Sequence, residues 1–577
     1  MNRQLRRKTQ KRQQKGKRQK ADKSLRQALN TLKSGDSKNA FEVAFEVLER
    51  TGRDDAAKIA AHAALKLESL EQSIIAYFRL IKHAPTNADI QNDLAGLLCM
   101  AERFREAESA SQQALTLDPD HSDARVNLGH ALVGQKRTVE AEQMFKEMIK
   151  KSPDNATGHS GLGIALESQG RLTEAVPPHR EAYRLNPANR VYRNNLETIL
   201  RECGIGLDER ERMYRADLIN NPEDFSAAML LACIFRDTER LDSGKAVIES
   251  WIPKETDLET KDRAQLREIL SELQFLSDDF TNAWPNYHWR LKRWERWSGK
   301  PLQPAWNGQS LKGKNLLVFA EQGVGDQVMF MALMPDLIAR GARITLECDP
   351  RLVPLFQRSF PNIQCVPVEK PAVPETLSSK IDYHVAMGSI GCWLWKKFKT
   401  RSTSSYLKPD AEKTAELRAK YKANSHNRLI GVSWESPQGA NGAVKSLTLS
   451  HLIPLFDLPN TRFIDLQYGD TEDARNSLKK ENEIELIHDD SVDQMQNLDD
   501  FAAQVAAMDA VVSVSNSTAH IAGALGITTC ILLSQAPQWK WGGTKEDCEW
   551  YPNVRLLRRS VGESAHNQIC RTKALIS

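Results

Sequence analysis

Two hydrophobic rhythms run along the chain and change over near residue 300. In the first, Pro85, Pro119, Pro153 and Pro187 stand 34 residues apart, and Ala107, Ala141 and Ala175 keep the same step. So do Ala95, Gly129 and Gly163, while Leu94, Leu128 and Leu162, with Leu98, Leu132 and Leu166, fill the layer between. Small residues let the two helices of a hairpin approach closely, leucines at i and i+4 share a face, and proline closes the turn into the next hairpin. The rhythm decays outward: Ala60, Ala61 and Tyr77 fit a unit upstream, and Pro222, Leu231, Ala232 and Trp251 fit one downstream. Pro177–Pro178 fall inside a second helix and predict a local kink. After Pro301, Pro304 and Trp306, short apolar runs alternate with helical stretches. The runs are 316–320, 342–348, 362–368 and 382–387, then, beyond a Lys- and Ser-rich gap at 396–427, 429–434, 461–468, 484–489, 510–515 and 528–534. That alternation predicts βα units and parallel sheets.

A period of 34 residues with two helices per unit is the tetratricopeptide (TPR) pattern. The expected fold is therefore an all-α TPR solenoid over 21–253, followed by an α/β part of two Rossmann-like lobes facing a cleft. A helical joint occupies 254–300, the lobes 301–410 and 428–560, a linker 411–427, and tails 1–20 and 561–577. TPR arrays present a concave face suited to a peptide or a partner helix. The joint ends in FTNAWPNYHWRLKRWERW, whose Trp284, Tyr287, Trp289, Trp294 and Trp297 are expected to seal a contact between domains. Open α/β sheets bind ligands at the carboxyl ends of their strands, so the cleft is the expected site.

Length and composition narrow the picture further. At 577 residues the chain exceeds one hydrophobic core. No apolar run reaches the length of a membrane span. Nine scattered cysteines, never spaced C-x-x-C, predict reduced thiols and a cytoplasmic setting rather than a disulfide frame or a zinc site. Neither H-E-x-x-H, G-x-S-x-G nor an EF-hand loop occurs, so no metal is expected. The net charge of +4 is local: residues 1–20 hold ten Lys or Arg and no acid, and the rest is net negative. This tail reads as solvated, or as a loose contact with an anionic membrane or RNA. It carries no apolar stretch of a secretory signal. Neither nucleic-acid binding nor integral membrane contact is expected of the body.

The stretch LLVFAEQGVGDQVMFMALMPDLI (316–338) concentrates the candidate chemistry. It reads as a buried strand, a turn bracketed by Gly323 and Gly325, and a helix beginning at Asp326. Unpaired N–H groups at such a helix start make an anion pocket. The pattern lacks the third glycine of a dinucleotide fingerprint and the Gly-Lys-Ser/Thr of a P-loop. A plain tight turn with Asp326 as helix cap is the alternative.

Three blocks carry a resemblance: AEQGVGDQVMFMALMPDLIARGARITLEC; GVSW…KSLTLSHLIPLF…FIDLQYGD; and DDFAAQVAAMDAVVSVSNSTAHIAGALG, continuing through QWKWGG to EWYPNVRLLR. In order and spacing they resemble bacterial TPR proteins whose C-terminal half is a GT-B glycosyltransferase related to the ADP-heptose:lipopolysaccharide heptosyltransferases. The arrangement is also similar to that of alphaproteobacterial flagellin glycosyltransferases, in which the repeats are thought to hold flagellin while a nonulosonic sugar such as pseudaminic acid is transferred. The resemblance implies that Asp326 is the catalytic base, taking the acceptor hydroxyl's proton. It implies that Lys445, after the loop ESPQGANGAVK, contacts the donor phosphate. Asn516, Ser517 and His520 fall on donor-binding motif positions, and Ser515 stands where the family has Asp, which puts the heptose contact in doubt. Gln467 and Tyr468 are expected to line the nucleotide pocket, and Met387–Gly388–Ser389 to shape the acceptor side. Trp539 and Trp541 stack on a base or cover the sheet edge.

The function so implied is an inverting, metal-independent protein O-glycosyltransferase. Its nucleotide-sugar donor is a co-substrate, and the solenoid recruits a protein acceptor, flagellin by resemblance. Two other readings stay open. One is heptosyl transfer to the lipopolysaccharide core, against which the long solenoid and Ser515 argue. The other is a non-catalytic TPR scaffold with a degenerate GT-B part.

Overall fold

The computed structural model describes residues 19–67, 69–83, 85–203, 205–292, 303–369, 375–376, 378–400, 405–423, 427–436, 445–534, 538–543, 545–560 and 563–577. The basic stretch up to residue 18, Trp294, Trp297 and most of the loop ESPQGANGAVK lie outside them. The chain divides into two compact units at Gly206–Leu207.

The first unit is a run of helix pairs, among them Ala88–Met100 with Phe104–Leu117, Ser122–Gly134 with Thr138–Lys151, and Ala156–Glu167 with Leu172–Leu185. The 34-residue step recurs in every local device. Asn87, His121, Asn155 and Asn189 each cap the first helix of a pair through a side-chain acceptor. Glu102, Lys136 and Gly170 turn the chain between the helices of a pair with positive φ (58°, 62° and 75°). The small residues work as expected. A Cβ on Gly129 would lie 2.2 Å from the Phe145 ring, and one on Gly163 would lie 2.3 Å from His179.

A surface ladder accompanies this core. Arg103, Arg137 and Arg171 each bind a glutamate three residues on (Glu106, Glu140, Glu174) and one in the preceding pair (Glu71, Glu108, Glu142). Leu172–Leu185 is one continuous helix with Pro177 and Pro178 inside it. Burial of Ala175, Val176, Pro178 and Ala182 holds it together although two N–H donors are missing.

The second unit begins with further helix pairs, Leu207–Asn220 with Phe225–Asp237 and Leu241–Glu249 with Thr260–Leu276, then Phe280–Tyr287. Two wholly parallel sheets follow. The first has the order β3-β2-β1-β4, from β1 (Asn315–Phe319), β2 (Arg343–Cys348), β3 (Gln364–Pro367) and β4 (Tyr383–Ala386). The second has the order β6-β5-β7-β8-β9, from β5 (Arg428–Ser433), β6 (Thr461–Asp465), β7 (Ala510–Val514), β8 (Thr529–Leu533) and β9 (Val554–Arg558). In each sheet the strand order reverses once, between β1 and β4 and between β5 and β7, where crevices for ligands open.

Several expectations need correction. The run 484–489 is no strand but a single bridge, Ile464 to Ile487, beside the edge strand β6. Strand β9 was not among the expected runs. Residues 411–427 are not a bare linker, since Ala411–Lys422 is a helix with Leu417 and Tyr421 buried. Residues 561–577 are not a tail. The helix Ala565–Ile576 docks on the second sheet, where Gln568 Nε2 donates to the carbonyls of Leu533 and Leu557 at 2.9 and 2.6 Å. Among the described residues no helix is long and apolar enough to cross a membrane.

Candidate functional site

β1 is apolar on both faces and ends at Phe319, so the polar run Glu321–Gln322 emerges at the switch point of the first sheet. This turn is pinned on several sides. Glu321 Oε1 accepts from Gly388 N at 3.2 Å and pairs with Arg290, both side chains being buried. Arg290 also donates to the Tyr287 carbonyl (3.0 Å) and to Ser389 Oγ (3.2 Å). Gln322 Nε2 donates to Tyr287 Oη, and Gln327 Nε2 to the Gln322 carbonyl. The helical joint thus reaches into the strand ends of the first lobe. Met387, Gly388 and Ser389 are buried in this support.

The short helix Val324–Phe330 starts at Gly323, and no side chain caps it. Asp326 is therefore not the cap; its carboxylate instead pairs with Lys540 from the second lobe. Neither Gly323 nor Gly325 has positive φ. Gly325 is needed for close approach, since a Cβ there would sit 2.9 Å from His520 Cδ2 and 3.6 Å from Ser517 Cα. The seam between the lobes closes on this glycine.

On the other side of the seam, Asn516 caps the helix Ser517–Leu525 by accepting from Ala519 N at 3.3 Å. Its Nδ2 donates to Ser433 Oγ (2.8 Å) and to the Glu435 carbonyl (3.1 Å). Gln467 Oε1 accepts from Ser433 Oγ, Trp434 N and Glu435 N at 2.8–3.0 Å. Ser515 Oγ donates to Gln538 (2.7 Å) and accepts from Trp541 Nε1 (2.8 Å). Three expected donor-contacting side chains, Gln467, Ser515 and Asn516, are thus engaged in shaping the exits of β5 and β7. Ser517 is half-buried at the first turn of its helix, and Tyr468 is half-buried with its hydroxyl proton affinity raised by burial.

His520 is buried, stacks on Trp541 (centroids 4.4 Å apart, planes 17° apart) and has Nδ1 3.0 Å from Tyr551 Oη. Burial, reinforced by the charges of Lys540 and Lys445 and opposed by Asp326, holds its pKa down to about 3, so the ring is neutral near pH 7. Burial and the Lys540 charge also push Lys445 below the usual lysine range, while Asp326 pulls it back. Asp326, Lys445, Lys540 and His520 therefore feel one another directly.

Trp539 and Trp541 are both buried. Trp539 stacks on Phe275 at 4.5 Å and meets Tyr287 edge-on at 5.0 Å, so it is core and no platform for a base. Gly543 lies so close to the helix Thr260–Leu276 that a Cβ would be 2.3 Å from the Leu276 carbonyl. The turn bearing Lys540 is thus fixed by the joint. Trp284 and Tyr287 bury in the same cluster, and Trp289 lies under Arg263.

Sequence reasoning brought out Asp326, Lys445, Ser517 and His520 and missed Lys540, Tyr551, Arg290 and Glu321. A lysine between two tryptophans in QWKWGG was the one local signal: apolar neighbours that bury leave the cation between them little choice of direction. Among the described residues no group of three or more His, Cys, Asp or Glu is arranged to hold a metal ion.

Comparison with known proteins places part of this chain. A tetratricopeptide-repeat family model matches residues 98–163. Protein FlbA of Caulobacter vibrioides is 32% identical over 268 residues, which cover 44% of this chain and 44% of that protein. The chain thus spans under half the length of that curated relative. Among solved structures, the TPR protein TTC0263 of Thermus thermophilus is 19% identical, covering 31% of this chain and 98% of its own, with a TM-score of 0.26. YrrB, a TPR protein with an unusual peptide-binding site, is 17% identical over 30% of this chain and 89% of its own, with a TM-score of 0.24.

Proposed function

We propose that the second unit is a GT-B glycosyltransferase that moves a sugar from a nucleotide donor to a Ser or Thr hydroxyl of a protein held by the TPR repeats. The observation that carries this reading is the meeting of Asp326, from the β1 turn, with Lys445, Lys540 and His520, from the strand ends of the other sheet. Asp326 takes the acceptor proton as the oxygen attacks the anomeric carbon. The bond from that carbon to the leaving phosphate breaks, and Lys445 with the N–H groups at Ser517 receives the charge, so no metal cofactor is required. Neutral His520 packs beside this reaction without repelling the arriving donor's cationic partners. Flagellin as acceptor, a nonulosonic sugar as donor group and a cytoplasmic setting follow the sequence resemblance.

The test is intact-mass spectrometry of flagellin from a deletion strain complemented with the wild-type protein or with Asp326→Asn. Wild type is expected to restore sugar-sized mass increments. Asp326→Asn is expected to cut transfer about 10²–10⁴-fold, the usual worth of a general base, while acceptor capture by the full chain is unchanged. Full transfer by the variant would remove Asp326 from the chemistry. Unchanged flagellin in the deletion, with altered lipopolysaccharide, would assign the heptosyltransferase reading instead. No change in either would assign the scaffold.

A further inference from the structure

Lys540 sits on the turn Trp539–Trp541, between one indole stacked on Phe275 and another stacked on His520. Its position is therefore set by aromatic packing, and its ammonium crosses the seam to Asp326. Lys445, half-buried, lies close enough to be repelled by Lys540 and attracted by the same Asp326. The Lys540 ammonium thus meets the Asp326 carboxylate with a second ammonium, that of Lys445, in electrostatic range, and the adjoining His520 ring brings no charge. The neighbouring Arg290 is committed to Glu321. A partly desolvated site with a surplus cation is favourable only when an anion completes it.

We propose that Lys540 is a second phosphate-binding residue and that its pair with Asp326 is an exchange latch. A phosphate entering the seam takes the Lys540 ammonium, and the Asp326 carboxylate, released from that partner, turns to the acceptor hydroxyl. Donor binding and exposure of the base then become one event, so that Asp326 is bare only when there is something to transfer. This inference rests on the reading of the seam as the donor site. The chemistry recognised is a nucleotide's phosphate, either the monophosphate of a CMP-sugar type or a diphosphate.

Titration calorimetry on the full chain, with inorganic pyrophosphate, UDP and CMP as probes, tests it. Lys540→Gln is expected to weaken the preferred probe about tenfold, the worth of one charge-assisted contact, and Lys540→Arg to restore most of it. The discriminating variant is Asp326→Asn: removing the competitor for Lys540 is expected to tighten binding about three- to tenfold, an effect that a merely structural pair does not give. In the double variant that gain is expected to vanish. UDP and pyrophosphate against CMP separates the diphosphate from the monophosphate source. Should Lys540→Gln unfold, Lys540→Met, which keeps the aliphatic stem between the indoles, carries the same comparison. Wild-type binding with no response to Lys540→Gln, or no gain in Asp326→Asn, overturns the latch and leaves the donor-site reading standing. No binding of any probe to the wild-type chain overturns both.

Discussion

The repeat array and the α/β body are held together in opposite ways. In the array each helix pair touches its neighbours through alanine and glycine faces, and the apolar clusters are several and local, one spanning Ala21 to Ala131 and another Leu132 to Ala165. Its ionic contacts are half-exposed staples such as Arg137–Glu108. In the body one apolar cluster joins residues from Phe275 to Leu556 and takes in six tryptophans (284, 306, 395, 539, 541, 550), with smaller clusters under the second sheet and in the leading helix pairs. Its key ion pair, Arg290–Glu321, is buried. Cohesion in the array is near-neighbour and additive; in the body it is long-range, so one contact supports many. The site lies in the body, where four elements distant in sequence must meet.

Arg290→Met should separate the two regions most. It leaves the Glu321 carboxylate buried without its cation and is expected to destabilise the body by about 3–5 kcal/mol. Scanning calorimetry of the full chain should show one transition shifted down while the signal from the array keeps its midpoint. Equal shifts in all signals would mean that the two regions unfold as one.

Acid sharpens the same contrast. His520 and His288 in the body have pKa values held down to about 3 and about 4, in both cases chiefly by burial. An unfolded histidine binds its proton near pH 6.5, so these groups contribute stability above that pH and lose it as pH falls toward their folded values. In the array Glu142 is held down to about 2, first by Lys146 and Gln169 and also by Arg171. Its contribution is present above about pH 4.5 and is lost only below that. Between pH 6.5 and 4.5 acidification is therefore expected to lower the transition that Arg290→Met identifies, by up to about 1.4 kcal/mol per pH unit for each of His520 and His288. His488, whose pKa the Asp465 carboxylate raises, works the other way. The array is expected to be lowered less, through His130, whose pKa is depressed by burial. His520→Gln should flatten the slope. A slope equal in both transitions would count against the assignment.

The smallest expected effect is in the staples. Arg137→Gln removes two half-exposed ion pairs that salt and solvent already screen, so only a slight downward shift of the array's midpoint is expected, with the body unmoved.

Legibility in the sequence follows the same division. The repeats were readable because every device recurs at one period, so each unit corroborates the next. Most strands were readable as continuous apolar runs, as buried parallel strands are. The helix Ala411–Lys422 was not, because its stripe is only Leu417 and Tyr421 amid charges. Ile487 is apolar beside an edge strand but earns only one bridge, a matter of sheet order rather than of composition. At the site, residues on a strand end or helix start could be named, as Asp326 and His520 were. Lys540 could not, because its partner lies more than two hundred residues away and only the aromatic packing of the joint brings the two together.

The ladder of Arg137 and Arg171 has a genetic consequence. Each reaches back 29 residues, to Glu108 and Glu142, and forward three, to Glu140 and Glu174. A segment of 34 codons therefore carries both halves of a staple. In-frame duplication or loss of such a segment regenerates every junction it touches, so the array can change length in one recombination step, whereas the seam at Gly325 tolerates no such edit.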